Sequence, residues 1–498
     1  MPDPLLLAID VGTGSVRAAL LDARGAIVAL AAREHDQHVP RFGWSEQSPA
    51  DWWRGVVETV RAVLRAPEAD PRRIAGVAAC GQMHAPVPVD AAGGVLLERV
   101  QLWNDKRPAE LCARFEREHD ARALLPRTAN PPAPSWTAFK VAWMRDHQPE
   151  VYGRAAFFLT PKDFVNFRLT GVAATDYSEA SGSYLLDARE LRYDAAIADL
   201  VGVDVARFPP VHPADAVIGT VTPAAAAETG LPAGLPVVAG GGDFLVALLG
   251  SGVVESGVGS DVTGTSTLIS VWSERPVADA RVMNLHAAGD GWVPFTILDA
   301  GGDSLRWARR VFGEPGTSFD AINQLAEAAA PPGCEGLLFL PYLNGERVGG
   351  RPDARAQFFG VTARHGKGHF YRAVMEGVAL ASKRNLDLMA AAGAPIGRVV
   401  ATGGGARGSL WLRIKASVYG VPIAAPENTE SGLLGCAALA GAGVGLFADP
   451  RDAARRLVRL APPVEPDPAL AERYARLGEV FGDVYAASRA VDDRLKGL

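Results

Sequence analysis

A short acidic and glycine-rich turn, Asp10-Val-Gly12-Thr13-Gly14-Ser15, follows the apolar run Leu5–Ile9, and a near-copy, Asp261-Val-Thr-Gly264-Thr265-Ser266, returns about half a chain later. Glycine admits the backbone conformations that turn N–H groups toward an anion, and small hydroxyl residues leave that backbone accessible. The aspartate at the strand end repels phosphate unless a divalent cation lies between them. Two such turns in one chain call for two strand–turn–strand units around one polyphosphate. Magnesium–nucleotide chemistry is what they imply.

Around the first turn the sequence reads as strand, turn, strand, tight turn, strand: Leu5–Ile9, Val16–Leu21, Asp22-Ala-Arg-Gly25 and Ala26–Ala31. Apolar spacing predicts a helix over Trp52–Leu64 after a start signal at Asp51, and Ile74–Ala79 returns as a buried strand. The second half repeats the plan with Val237–Ala239, Gly240-Gly241-Gly242-Asp243, a helix from Phe244, and strands at Ser260–Thr263 and Thr267–Val271. At 498 residues the chain exceeds the about 250–300 that a single core supports. Two α/β lobes are therefore expected, 1–248 and 249–498. Pro209–Pro236 reads as a surface excursion that contains strands. Gly432–Phe447 is apolar, Gly- and Ala-rich, and shorter than the ~18–20 residues that span a bilayer, which predicts a tightly packed core helix.

A net charge of −6 leaves no basic footprint for nucleic acid, and no segment calls for a membrane. Cys80, Cys112, Cys334 and Cys436 are too scattered for a disulfide framework or a zinc site. Leu5–Ile9 lacks a cationic lead-in, so it reads as a strand and not a signal peptide, and a cytoplasmic protein is expected. There is no GxSxG or HExxH motif, and Gly360…Gly366-Lys367-Gly368 has one residue too many for a Walker loop. A dinucleotide fingerprint at Gly12-Thr-Gly14-Ser-Val-Arg17 fails because Arg17 stands at the third glycine and Asp10 would oppose a bare pyrophosphate.

Asp243 follows three glycines that allow close backbone approach, so it is the candidate base that accepts a hydroxyl proton; the plainer reading is a helix N-cap. Gly403-Gly404-Gly405 joins the strand Arg398–Thr402 to the helical run Leu410–Tyr419. It reads as a floor for a flat base, or simply as a tight turn. Gly81-Gln82-Met83-His84 and Trp103-Asn104-Asp105 follow apolar runs and place hydroxyl-binding groups at strand ends, although a lone histidine or tryptophan is more often packing. Together they argue for a polyol pocket.

These residues together resemble the FGGY carbohydrate kinases of the actin/hexokinase-like superfamily, most closely the xylulokinase branch. The likeness covers nearly the whole chain. It rests on Ile9-Asp10-x-Gly12-Thr13, Trp44-Ser45-Glu46-Gln47, Gly81-Gln82-Met83-His84, Leu102-Trp103-Asn104-Asp105, Pro161-Lys162-Asp163, Ala239-Gly-Gly-Gly-Asp243, Phe339-Leu-Pro341-Tyr-Leu-x-Gly345-Glu346-Arg347, Phe358-Phe-Gly360 and Gly403-Gly-Gly-Ala-Arg407. The resemblance implies two ribonuclease H-like ATPase lobes with a cleft between them, closing over MgATP and a sugar or polyol, and phosphorylation of a terminal hydroxyl, D-xylulose foremost.

By the same likeness Asp243 is the catalytic base and touches the sugar. Asp10 is the second catalytic carboxylate and holds Mg²⁺, directly or through water. Gly12, Thr13, Ser15, Arg17, Gly264, Thr265, Gly302, Gly404, Gly405 and Ser409 meet ATP, and Met83, His84, Trp103 and Asp105 line the sugar. Asp261 is expected only to shape its turn. Homodimers are common among such kinases, and no exposed patch in the sequence selects one. Three departures bear on the sugar: Phe244 stands where the family has an amide, Ala85 where it has glycine, and Phe139 where it has proline. A pentitol therefore stays open as the acceptor, a non-kinase ATP-binding switch is the rival of another class, and a dehydrogenase is the remote one.

Overall fold

The computed structural model describes residues 3–496. Leu5–Val11 (β1), Ser15–Asp22 (β2) and Ile27–Glu34 (β3) form an antiparallel meander. The helix Pro49–Val63 (α1) then crosses to Ile74–Gly81 (β4), which runs parallel to β1. That helix starts ahead of the expected Trp52, because Pro49 at the first position lacks only an N–H that has no intrahelical partner. All seven residues of β1 are buried, since both faces of the strand are covered. Leu5, Leu7 and Ile9 cluster with Trp52, Val56 and Val60 of α1, and Leu6 and Ala8 cluster with Ala437 and Ala440 from the far end of the chain.

After the short helix Tyr177–Ser181 (α2), the sheet is extended by Val217–Thr220 (β5) and Pro236–Val238 (β6), and Gly241–Gly242 (β7) pairs with the end of β4. The excursion before Pro236 contains the expected strands and also a helix, Pro223–Thr229, which Thr222 caps and Gly230 ends at φ +82°. Asp243–Leu249 (α3) follows β7 without a break.

The second sheet repeats the first. Val258–Thr263 (β8) and Thr267–Val271 (β9) are the second antiparallel hairpin, joined by Met283–His286 (β10) and Trp292–Leu298 (β11). After the helices Gly301–Phe312 (α4) and Lys367–Ala391 (α5), Arg398–Thr402 (β12) lies parallel to β8. Ser409–Tyr419 (α6) leads to Ile423–Ala424 (β13) at the sheet edge. Each lobe is thus a meander followed by parallel crossover strands. The loop at Gly12 joins two antiparallel strands and not a strand to a helix, which removes the dinucleotide-binding reading.

Ser431–Gly443 (α7) does not stay with the second sheet, although it falls in 249–498. It packs on β1, β4 and α3 of the first lobe. Small residues make this possible: a Cβ on Gly435 would lie 2.0 Å from the Val246 carbonyl oxygen, and one on Gly250 would lie 1.9 Å from that of Ser431. Apolar packing and not chain order decides where this helix sits. Gly435→Ala should cost about 1–3 kcal/mol by overpacking. It should appear as a lower thermal midpoint together with a lower kcat, since α3 begins at Asp243.

The lobes also meet at β10. Asn284 N–H donates to Asn130 Oδ1 at 2.8 Å, and Asn130 Nδ2 donates to the Asn284 carbonyl at 2.7 Å. His286 N–H donates to Ser181 Oγ at 2.9 Å.

Candidate active site

The register Val11↔Gly81 and Gly81↔Gly242 brings three strand ends side by side. Asp10, the Gln82-Met83-His84 segment and Asp243 therefore share one edge of the first sheet. Asp243 is the first residue of α3 and not the residue before it, and Oδ1 accepts its neighbour's N–H, from Phe244, at 2.6 Å. Burial, and then the negative charge of Asp10, raise its pKa to about 7. A carboxyl group poised at neutrality accepts a proton readily at cellular pH.

Asp10 is 8% exposed, and burial raises its pKa while Arg17 opposes the rise. Its contacts are weak: Cys80 Sγ donates to Oδ1 at 3.5 Å, and Arg17 Nη2 stands 3.5 Å from Oδ2. A buried carboxylate with so little donated to it suits a small hard cation as the missing partner. The Gly432 backbone comes close, a Cβ there lying 3.4 Å from Asp10 Oδ2.

The first loop is braced by buried amides. Gln47 Nε2 donates to the Thr13 carbonyl at 2.6 Å, Gln82 Nε2 donates to Gln47 Oε1 at 2.7 Å, and Thr13 Oγ1 donates to Gln82 Oε1 at 3.2 Å. Trp103 Nε1 donates to Thr13 Oγ1 at 3.2 Å, which ties the exposed indole to the Gly12–Ser15 loop. Gly12 N–H closes the turn on the Ser15 carbonyl at 3.0 Å.

Met83 lies against Gly242, where a Cβ would come within 2.6 Å of its sulfur. His84 takes φ +67°, packs edge-on to Trp136 at 5.2 Å, and has Nδ1 buried without a partner. Burial, with the nearby Lys140 charge second, lowers its pKa to about 3. It is neutral, and so offers one donor and one acceptor to a hydroxyl. Asp105 is different: it is 1% exposed, Arg107 takes both its oxygens at 2.9 and 2.7 Å, and Ser45 N–H adds 2.8 Å. Its carboxylate is filled, so it holds Arg107 and the Trp44–Ser45 turn in place and does not offer itself to a sugar. Phe244, which stands where the family has an amide, packs on Phe295 of β11 at 5.4 Å between centroids, a contact between lobes.

In the second lobe the glycines converge. A Cβ on Gly302 would lie 2.0 Å from the Gly264 carbonyl oxygen, and one on Gly405 would lie 2.6 Å from Thr263 Cβ. Thr265 Oγ1 accepts from Arg306 Nη1 at 2.9 Å, and its carbonyl accepts from Asp303 N–H at 2.9 Å. Gly404 and Ser409 lie exposed on the turn into α6. Asp261 is fully buried and does more than shape its turn. It binds Lys415 Nζ at 2.7 Å and accepts from Tyr419 OH at 2.7 Å, which anchors α6 to β8.

One cluster went unread in the sequence beyond its motif. Lys162 Nζ reaches Asp163 Oδ1 at 2.6 Å, Asp176 Oδ1 at 2.9 Å and the Ala239 carbonyl at 3.0 Å, all with no exposure. Ser178 Oγ accepts from Gly242 N–H at 2.9 Å. Glu179 beside them has both oxygens buried without partners, and burial pushes its pKa well above the usual range. The Ala239–Asp243 turn rests on this cluster.

Among the described residues, no helix is long and apolar enough to cross a membrane. Residues 5–250 match the N-terminal domain, and residues 260–444 the C-terminal domain, of the FGGY family of carbohydrate kinases. The xylulose kinase of Bacillus subtilis is 31% identical over 498 residues, covering 99% of each chain. The gluconokinase of the same organism is 27% identical over 87% of this chain and 86% of its own. The crystal structure of xylulose kinase from Rhodospirillum rubrum matches with a TM-score of 0.91 at 30% identity, over 98% of this chain and 100% of that one.

Proposed function

The chain belongs to the FGGY family of carbohydrate kinases, and on that premise we propose that it transfers the γ-phosphoryl group of ATP to the terminal hydroxyl of D-xylulose, giving D-xylulose 5-phosphate and ADP. The observation that carries this reading is Asp243, a carboxyl group held near neutrality at the edge it shares with Asp10, Met83 and His84. Its partner in the argument is full-length similarity to a xylulose kinase.

In this reading Met83, His84 and Trp103 seat the sugar with its terminal hydroxyl toward Asp243. The carboxylate takes the hydroxyl proton as the new O–P bond forms, and the bond from γ-phosphorus to the bridging oxygen breaks, its electron pair leaving with ADP. Gly12, Thr13, Ser15 and Arg17 approach the phosphates from the first lobe, and Gly264, Thr265 and Gly302 from the second. Gly404, Gly405 and Ser409 leave a flat space for adenine. Asp10 holds magnesium, directly or through water; when bound, the metal neutralises charge on the phosphates. Phe244 and Phe295 close the lobes against water, which the base would otherwise activate in place of the sugar.

The gluconokinase relative favours a second reading, with a sugar acid or other polyol as acceptor. A coupled ADP-release assay on D-xylulose, gluconate, xylitol, arabinitol and glycerol decides between them. The highest kcat/KM is expected for D-xylulose. A higher value for gluconate or a pentitol, or activity on glycerol alone, overturns the substrate and leaves the kinase.

A further inference from the structure

Glu430 enters the site from the turn before α7, 413 residues from Arg17 along the chain. Arg17 Nη1 donates to Glu430 Oε2 at 2.6 Å, while Nη2 keeps a looser 3.5 Å from Asp10 Oδ2. Arg17 Nε is buried without a partner. A guanidinium beside a single carboxylate closes on it with two parallel bonds. Here the second carboxylate takes the nearer share, and Asp10 is left with the loose contact and the weak Cys80 thiol. Glu430 and Arg17 are both partly exposed, at 24% and 38% of their side chains, so the pair adds little to stability.

We propose that Glu430 is a positioning residue which, by holding Arg17 off Asp10, keeps the Asp10 carboxylate open to the magnesium ion that accompanies ATP. This rests on the assignment of Asp10 to the metal. Without the Glu430 charge, the guanidinium is free to rotate onto Asp10 and satisfy it in place of the cation.

The test is calorimetric titration of ADP at increasing magnesium concentration, with no sugar and no turnover. Glu430→Gln should raise the magnesium concentration that gives half-maximal tightening of ADP by about 10–100-fold. Metal-free ADP binding, sugar affinity and thermal midpoint should match wild type. In an Arg17→Met background the same substitution should add no further shift, because the group it acts through is gone. A wild-type magnesium curve for Glu430→Gln overturns the proposal, and so does an undiminished shift in the Arg17→Met background. Asp10→Asn separates the two levels: an unchanged magnesium curve there overturns the assignment of Asp10 to the metal, and the proposal with it.

Discussion

Asp243→Asn should lower kcat by about 10²–10⁴-fold, the range that a positioned base supplies. Asparagine keeps the size and can still accept the Phe244 N–H, so the start of α3 should survive. What it loses is the lone pair that takes the hydroxyl proton. Binding of ATP and of the sugar, measured separately by calorimetry, should stay within a few-fold of wild type, and turnover near wild type would sink the base assignment. The pH profile gives an independent check. Asp243 titrates at about 7, raised by burial and by Asp10, and only its ionised form accepts a proton. The wild-type kcat should therefore climb as pH rises through 7 and flatten above it, and a flat profile from pH 5 to 8 would contradict the assignment.

Lys162→Met should be the most destabilising of the variants considered. It leaves Asp163 and Asp176 as buried carboxylates without the cation between them. Breaking a buried pair in this way costs about 3–5 kcal/mol, to be read by chemical denaturation. The deficit should depend on pH in a defined direction. Burial already raises Asp163, and Lys162 is the first group that opposes the rise, so its removal carries the folded-state pKa further above the unfolded value of 3.8. A folded state that holds its proton longer than the unfolded one loses stability as pH rises from the unfolded pKa through the folded one. The variant should thus fall furthest behind wild type near pH 7 and recover partly near pH 5. An equal deficit at both would mean that the loss is packing alone. Because Lys162 also holds the Ala239 carbonyl, the folded fraction should be slower in catalysis as well as scarcer.

Much of this architecture is legible in the residues, because local chemistry dictates it. Short apolar runs with Gly-containing turns between them mark the first meander and the β8–β9 hairpin, and Gly403-Gly-Gly after a β-branched run marks the turn into α6. Three points were not legible, each for a physical reason. Whether Asp105 faces a ligand depends on whether a neighbour claims it first, and Arg107, two residues on, does so through a conformation that spacing does not reveal. At Phe244 the sequence shows only the missing amide; its partner Phe295 lies on a strand of the other lobe. Glu430 and Gly432 sit at the mouth of an apolar, Gly- and Ala-rich helix that reads as packing alone, and only the fold carries that mouth to Asp10.

The contacts that lock α7 to α3 and β1 have one more consequence. Asp10 and Asp243 belong to the first lobe together with α7, which comes close to Asp10 at Gly432 and packs on α3, the helix that Asp243 begins, while Gly264, Gly302 and Gly404 belong to the second. In the proposed reaction, closing of the lobes would bring Gly264, Gly302 and Gly404 toward the carboxylates and leave the carboxylates fixed with respect to each other. The influence of Asp10 on Asp243 therefore arises within one lobe and needs nothing from the other. On the proposed reading, closure would change what the base faces and not the base itself.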